Sequence, residues 1–269
     1  MRARVFVTLK PSVFDPQGKV IKSFTGTPPP APLATPPATP DDSVRPPPPQ
    51  PPVKQGLNRF VWDTRYPDAT DFKGLIMWAG GVRGPASPPG AYRVRLTAAG
   101  QSKTQPFTIL RNPKGSATDE DLSAQFMLAS GISGKVSAAN AAVLRIRGLK
   151  DQIADRVQKG DDAKLKAAGD ALTEKLTAIE GEIYQYRNRS SQDPLNFPIK
   201  LNNKLAALQS VVESGDYRPT DQSLAVFKEL SAQLGAQLAK LDALIRTDLT
   251  AFNQLVVKNK LTPIIPGGP

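Results

Sequence analysis

Apolar side chains recur at helical intervals along the back half of the chain. In residues 165–186, Leu165, Leu172, Leu176, Ile179, Ile183 and Tyr186 follow one another at steps of seven, four, three, four and three. That spacing lays them along one stripe of a helix and turns the stripe toward a partner helix. It predicts a helix over about residues 162–187. Each Leu or Ile fully buried there contributes roughly 1.5–3 kcal/mol, enough in sum to outweigh the weak intrinsic stability of a surface helix. Upstream, Thr118-Asp119-Glu120-Asp121 reads as a helix start, with Thr118 as N-cap and Asp121 as its reciprocal acidic partner. The helix it opens carries Leu122, Phe126, Ala129, Val136 and Val143, and Gly131, Gly134 and Gly148 predict a bend or break within it. Downstream, Leu201, Leu205, Leu208 and Val212 mark a shorter helix over about 199–213. A last helix, entered through Thr220, runs to about 257 through Phe227, Leu234, Leu238, Leu241, Ile245, Phe252 and Leu255. The connectors are short, so three or four antiparallel helices are expected to form a bundle over 118–258, followed by a Pro/Gly-rich tail over 259–269.

The front half changes period from 3.6 to 2. Val5, Val7 and Leu9 alternate with Arg4, Phe6, Thr8 and Lys10, as in a half-buried strand with one aromatic on its other face, and Val13-Phe14 and Val20-Ile21 flank the turn Asp15-Pro16-Gln17-Gly18, which predicts a hairpin. In residues 57–63, Phe60 and Trp62 fall on one side of an expected strand. Tyr92, Val94 and Leu96 alternate with Arg93 and Arg95, and a turn at Ala98–Gln101 leads to a return strand around Phe107 and Ile109. The prediction is an antiparallel β-sandwich-like domain over 1–112. It is interrupted at 28–52, where 13 of the 27 prolines fall and favour an extended insertion without a core. The chain is thus expected to be α+β and multidomain.

Charge sharpens the division. Residues 1–117 hold 16 Lys/Arg against 6 Asp/Glu, a net of +10, and residues 118–269 hold 19 against 18, a net of +1. The basic surplus attracts anions without specifying one, and its dispersal argues against specific nucleic-acid recognition. Cysteine and histidine are both absent. That excludes disulfides, thiolate chemistry, histidine metal sites and the usual base of a serine nucleophile. No run approaches 18 apolar residues, so no bilayer-spanning helix is expected. The opening residues do not resemble a secretory signal, so any export signal is expected upstream.

Asp63, Asp68 and Asp71 invite comparison with a glycosidase pair, but they lie among turn residues where capping and solvation are the ordinary roles. Gly80-Gly81-Val82-Arg83-Gly84 lacks the Lys-Ser/Thr that a phosphate loop needs. The first-turn position of Asp119, Glu120 and Asp121 already accounts for them. Tyr184, Tyr186, Arg187 and Arg189 read equally as a polar contact site or a solvated helix end. No catalytic residue, metal ligand or cofactor is assigned. Candidate binding residues are Trp62 and Trp78, as core anchors or sugar platforms, together with Arg83, Arg93 and Arg95.

The segment Gly56-Leu57-Asn58-Arg59-Phe60-Val61-Trp62-Asp63-Thr64-Arg65-Tyr66-Pro67 resembles one near the C-terminus of large bacterial proteins with sortilin-like or BNR-repeat β-propellers. These are often labelled glycosyl hydrolase or sialidase-like. The resemblance continues through Pro88-Pro89-Gly90-Ala91-Tyr92-Arg93-Val94-Arg95-Leu96, which is similar to the closing hairpin of a flagellar-hook-capping-type immunoglobulin-like module, and through Asn196-Phe197-Pro198-Ile199-Lys200-Leu201-Asn202-Asn203-Lys204-Leu205 and Arg218-Pro219-Thr220. It implies a non-catalytic structural or protein-interaction appendage of a larger protein, here expected to be a fragment. The implied partner is an upstream β-propeller or another protein, with polysaccharide as a second candidate, and the implied setting is extracellular or periplasmic. A carbohydrate-binding module and a degenerate glycoside hydrolase are the rival readings. The family's catalytic labels attach to the propeller, so none of its catalytic residues transfers to this sequence.

Overall fold

A computed structural model describes residues 9–26, 49–54 and 56–267. The expected strand residues before Leu9 and most of the proline-rich insertion lie outside the described residues. The architecture is an open antiparallel four-stranded sheet followed by a mostly helical region. The strands are β1 (Leu9–Phe14), β2 (Val20–Ser23), β3 (Gly90–Ala98) and β4 (Gln101–Ile109), in the spatial order β2-β1-β3-β4. The helices are α1 (Asp119–Lys159), α2 (Ala163–Ile183), α3 (Leu201–Val212), α4 (Asp221–Leu244) and α5 (Thr250–Lys258), the last two joined by a π-helical turn at Ile245–Leu249.

The chain divides into two compact units. The first comprises the described residues of Met1–Asp68, Gly84–Met127 and Gly215–Pro219. Its two hairpins follow from their turns. Asp15 Oδ1 accepts from Lys19 N at 2.7 Å while Gly18 takes φ +83°, closing β1 onto β2. Ala98 pairs with Gln101 across Ala99 and Gly100, both at positive φ, the twist that a two-residue hairpin needs. Val13, Ile21 and Tyr92 are buried, with Trp62, Tyr66, Phe107 and Ile109 packed against them. Among the described residues this is the only sheet. Residues 57–63 keep their expected alternation, with Phe60 and Trp62 half-buried and Leu57 and Val61 exposed, yet they form no strand. Extended backbone gives the period, and a ladder also requires a neighbouring strand.

The second unit comprises Ala69–Arg83, Leu128–Ser214 and the described residues of Thr220–Pro269. Ile132, Val136 and Ile146 of α1 are fully buried with Leu176 and Ile183 of α2 and Leu205 of α3. Asp162 caps α2 by accepting from Lys164 N at 2.7 Å, and Thr220 caps α4 by accepting from Ser223 N at 3.2 Å. Thr118 and Asp121 form the expected reciprocal cap of α1: Asp121 N donates to Thr118 Oγ1 and Thr118 N to Asp121 Oδ2. Of the bend or break expected in α1, a break does not occur, and the helix runs 41 residues. Gly131 has a different purpose, because a Cβ there would lie 3.2 Å from the Phe227 ring. The missing side chain is a notch that admits an aromatic from α4.

Candidate functional site

The five residues singled out in the sequence do not converge. Trp62 is half-buried in the first unit, with its ring 6.3 Å from Phe107 and 6.5 Å from Tyr92, and its indole N–H donates to Arg65 O at 3.1 Å. It is placed as an anchor of the small sheet core. Arg93 and Arg95 are exposed on β3, and the Arg95 guanidinium lies 4.6 Å over the Phe14 ring. Trp78 and Arg83 belong instead to the helical unit, within Ala69–Arg83. That segment, expected among the turns of the β domain, is an irregular strap with a turn at Lys73–Gly74, and its Phe72 and Val82 enter the helical core.

What fixes the strap is a set of buried polar side chains. Asn203 of α3, almost fully buried, accepts from Trp78 N at 2.8 Å and donates to Trp78 O at 2.6 Å. One side-chain amide thus satisfies both main-chain groups of one residue, as a neighbouring strand would. Asn202, fully buried beside it, donates to Asn140 Oδ1 at 3.0 Å, and Asn140 donates to Thr70 O at 2.7 Å. Ser137 accepts from Thr70 N, and Gln209 donates to Arg83 O at 2.9 Å. The hydroxyl of Tyr184 accepts from Ile76 N at 3.3 Å and donates to Gly74 O at 3.1 Å. Burial pushes the Tyr184 phenol above its ordinary pKa, so it stays protonated and keeps the proton it donates.

Beneath the strap lies a charged knot. Glu180 of α2 is buried and accepts from Arg147 Nε at 2.8 Å and Lys150 Nζ at 2.9 Å, both on α1. The Arg147 guanidinium also sits 4.9 Å from the Phe72 ring and 5.3 Å from the Tyr184 ring, and those rings meet edge to face at 5.2 Å. The carboxylate is tied to two cations, one of which also holds the strap's aromatic residue.

The C-terminal segment is held in the same way. Asn253 of α5 accepts from Ile264 N at 2.7 Å and donates to Ile264 O at 2.9 Å, while the Ile264 side chain is buried in the core. Arg156 Nε donates to Thr262 O at 2.6 Å.

Reasoning from sequence missed these polar residues, although their signal was present. Asn140 lies four positions after Val136 and three before Val143, and Glu180 stands in the same relation to Leu176 and Ile183. A polar side chain on an apolar stripe must find a partner inside.

The acidic residues considered for catalysis serve the backbone. Asp68 Oδ1 accepts from Gly84 N at 2.9 Å, Asp71 Oδ1 from Phe72 N at 2.8 Å and Asp63 Oδ1 from Arg65 N at 3.3 Å, and Asp63 also lies 3.9 Å from Lys22 Nζ. Asp193 accepts from the backbone of Arg189 and Ser190, which holds its carboxyl below the usual range and organises the end of the Tyr184–Arg189 segment. Among the described residues no group of three or more acids gathers to hold a metal, and no helix is long and apolar enough to cross a membrane. An open cleft of ≈630 Å³ borders α2, with Tyr186, Phe197 and Pro198 on one side and Glu174 and Glu182 in its lining. Those two glutamates are eight positions apart on one helix, about 12 Å along its axis. A glycosidase pair stands roughly 5–9.5 Å apart, and Glu182 is already paired to Lys200 at 3.5 Å.

No family model matches the chain, and neither the curated proteins nor the solved structures yield a match.

Proposed function

We propose that the chain is a non-catalytic structural or protein-interaction appendage of a larger bacterial protein of the β-propeller, hydrolase-like kind, acting outside the cytoplasm. The observation that carries this reading is the commitment of the buried polar side chains. Asn140, Asn202, Asn203, Gln209 and Tyr184 bond to the strap or to one another, and Glu180 is paired twice over. A catalytic site holds polar groups toward a substrate, whereas these hold the chain to itself. Asn202 and Asn203, two of the clamping residues, also lie in the segment that carries the family resemblance. In this reading the open sheet belongs to an immunoglobulin-like, sandwich-type module, and the partner is the propeller.

The test pairs an activity screen with a binding measurement. The whole chain and its E174Q/E182Q and D63N/D68N variants are assayed on chromogenic glycosides, and the chain is titrated with a separately produced propeller of the resembled kind. Association with the propeller and no turnover above the variants are expected. Turnover that either double variant abolishes overturns the proposal.

One observation favours a second reading, a carbohydrate-binding module. Trp78 is 43% exposed, which leaves part of its indole accessible for sugar stacking. Quenching of its fluorescence by neutral polysaccharide, lost in W78A, would establish that reading instead.

A further inference from the structure

In an antiparallel sheet, directly opposed residues share a face. Arg93 of β3 is opposed by Phe14 of β1 and Pro106 of β4, Arg95 by Ser12 and Thr104, and Thr97 by Lys10 and Ser102. Arg93, Arg95 and Lys10 therefore lie together on one face, and all three are exposed. Two hydroxyl pairs mark the same surface, Ser12 with Ser23 at 2.8 Å and Thr97 with Ser102 at 2.7 Å. The other face carries the packed residues Val13, Tyr92 and Phe107, so the sheet has one face committed to a core and one turned to solvent.

The cationic face has no acid among these opposed residues. Among the described residues none of the three cations makes an ion pair, in contrast to Lys22, which lies 3.9 Å from Asp63. Arg93 and Arg95, two positions apart along a strand, have side chains rooted about 7 Å from each other. Like charges so placed repel, and a counter-anion relieves that repulsion. The guanidinium fork suits a carboxylate in two parallel hydrogen bonds.

We propose that this face of the sheet binds an acidic polysaccharide, with its carboxylates taken by Arg93, Arg95 and Lys10 and its hydroxyls by Ser12, Thr97 and Thr104. The surface chemistry separates this occupant from other polyanions. Binding of single-stranded nucleic acid relies on aromatic faces for base stacking, whereas the aromatic on this face, Phe14, is buried beneath the Arg95 guanidinium. Membrane attachment uses apolar side chains that insert between lipids, whereas the positions opposed to Arg95 and Lys10 are the hydroxyls of Ser12, Thr104 and Thr97, and only Arg93 is flanked by apolar side chains, Phe14 and Pro106. Rows of hydroxyls interleaved with cations match a chain that itself alternates hydroxyl and carboxylate. This contact is separate from sugar stacking on Trp78, and it stands apart from the scaffold reading because no strap residue takes part.

The test titrates the whole chain with polygalacturonate, with its methyl-esterified form, with single-stranded DNA and with phosphatidylglycerol vesicles. Binding of polygalacturonate is expected, falling with added salt, weakened about ten-fold or more in R93A/R95A, and lost with the ester. The R93K/R95K variant is expected to keep the salt dependence and lose affinity, because lysine retains the charge without the fork. Unchanged circular dichroism certifies that both variants are folded. The proposal is overturned if polygalacturonate does not bind, if R93A/R95A or R93K/R95K binds as tightly as the parent, if the ester binds equally, or if DNA or vesicles bind more tightly.

Discussion

Replacing Asn203 with alanine removes two hydrogen bonds at once and leaves the N–H and C=O of Trp78 without the partners that hold them at 2.8 and 2.6 Å. An unsatisfied buried main-chain group costs about 1–3 kcal/mol. Because Trp78 is 43% exposed, water recovers part of that loss. Alanine also favours the helical conformation of α3 by about 0.6 kcal/mol over asparagine. The expected net cost of N203A is therefore about 2–3 kcal/mol. Y184F, which removes the bonds to Ile76 N and Gly74 O, should cost about 1–2 kcal/mol. Both residues hold one strap, so a strap already released by the first substitution has less to lose from the second. The double variant should cost less than the sum by at least about 0.5 kcal/mol. Urea unfolding followed by helical circular dichroism gives the energies, and hydrogen exchange at the Ile76 and Trp78 amides reports the strap itself. Strict additivity, or unchanged exchange at both amides in N203A, would refute the account of a single clamped segment.

Three further outcomes follow from particular contacts. At Gly80 a Cβ would lie 2.5 Å from the backbone of Ala206 and Ala207, which cannot rotate away, so G80A should destabilise the helical unit by about 1–3 kcal/mol in the same urea assay. Ile264 is buried in the core and its backbone is gripped by Asn253, so I264A should cost about 2–4 kcal/mol and expose the tail to limited proteolysis; an unaltered digestion pattern would count against the docking. Burial, and then the Tyr92 and Asp15 charges, push the Tyr66 phenol up to about 12. A phenol raised in the folded state contributes stability that is complete below its ordinary pKa near 10 and disappears as pH climbs from there through about 12. Tyr184 and Tyr92 are raised by burial as well, so absorbance at 295 nm should show a late phenolate transition whose amplitude Y66F lowers by one tyrosine, and an undiminished late amplitude in Y66F would refute the assignment.

Local signals in the sequence carried much of the fold. The Asp15–Gly18 and Ala98–Gln101 turns, the Thr118 cap and the leucine stripes of α2 and α3 each depend on neighbours within a few positions, which a linear reading can see. The departures arise where distant residues decide the outcome. Residues 57–63 alternate like a strand, but a ladder needs a partner that their own sequence does not contain. Gly131 looked like a break because the Phe227 ring that fits over it comes from α4, almost a hundred positions away. The strap was hidden for the same reason, since Asn203 lies 125 positions from Trp78. Trp78 attracted notice for its indole, while the bonds to Asn203 are made by its peptide groups. Arg93 and Arg95 were legible as one side of a strand, but only the register beside Lys10, Ser12 and Thr104 makes them part of a surface.

The twin asparagine clamps, Asn203 on Trp78 and Asn253 on Ile264, leave an evolutionary signature of their own. Each grips atoms that every amino acid except proline shares, so inheritance can rewrite the gripped positions, within what the surrounding space admits, without loosening the grip. The asparagines have no such freedom, because aspartate lacks the donor and leucine lacks both groups. Across descendants of this chain the fastening should outlast the thing it fastens.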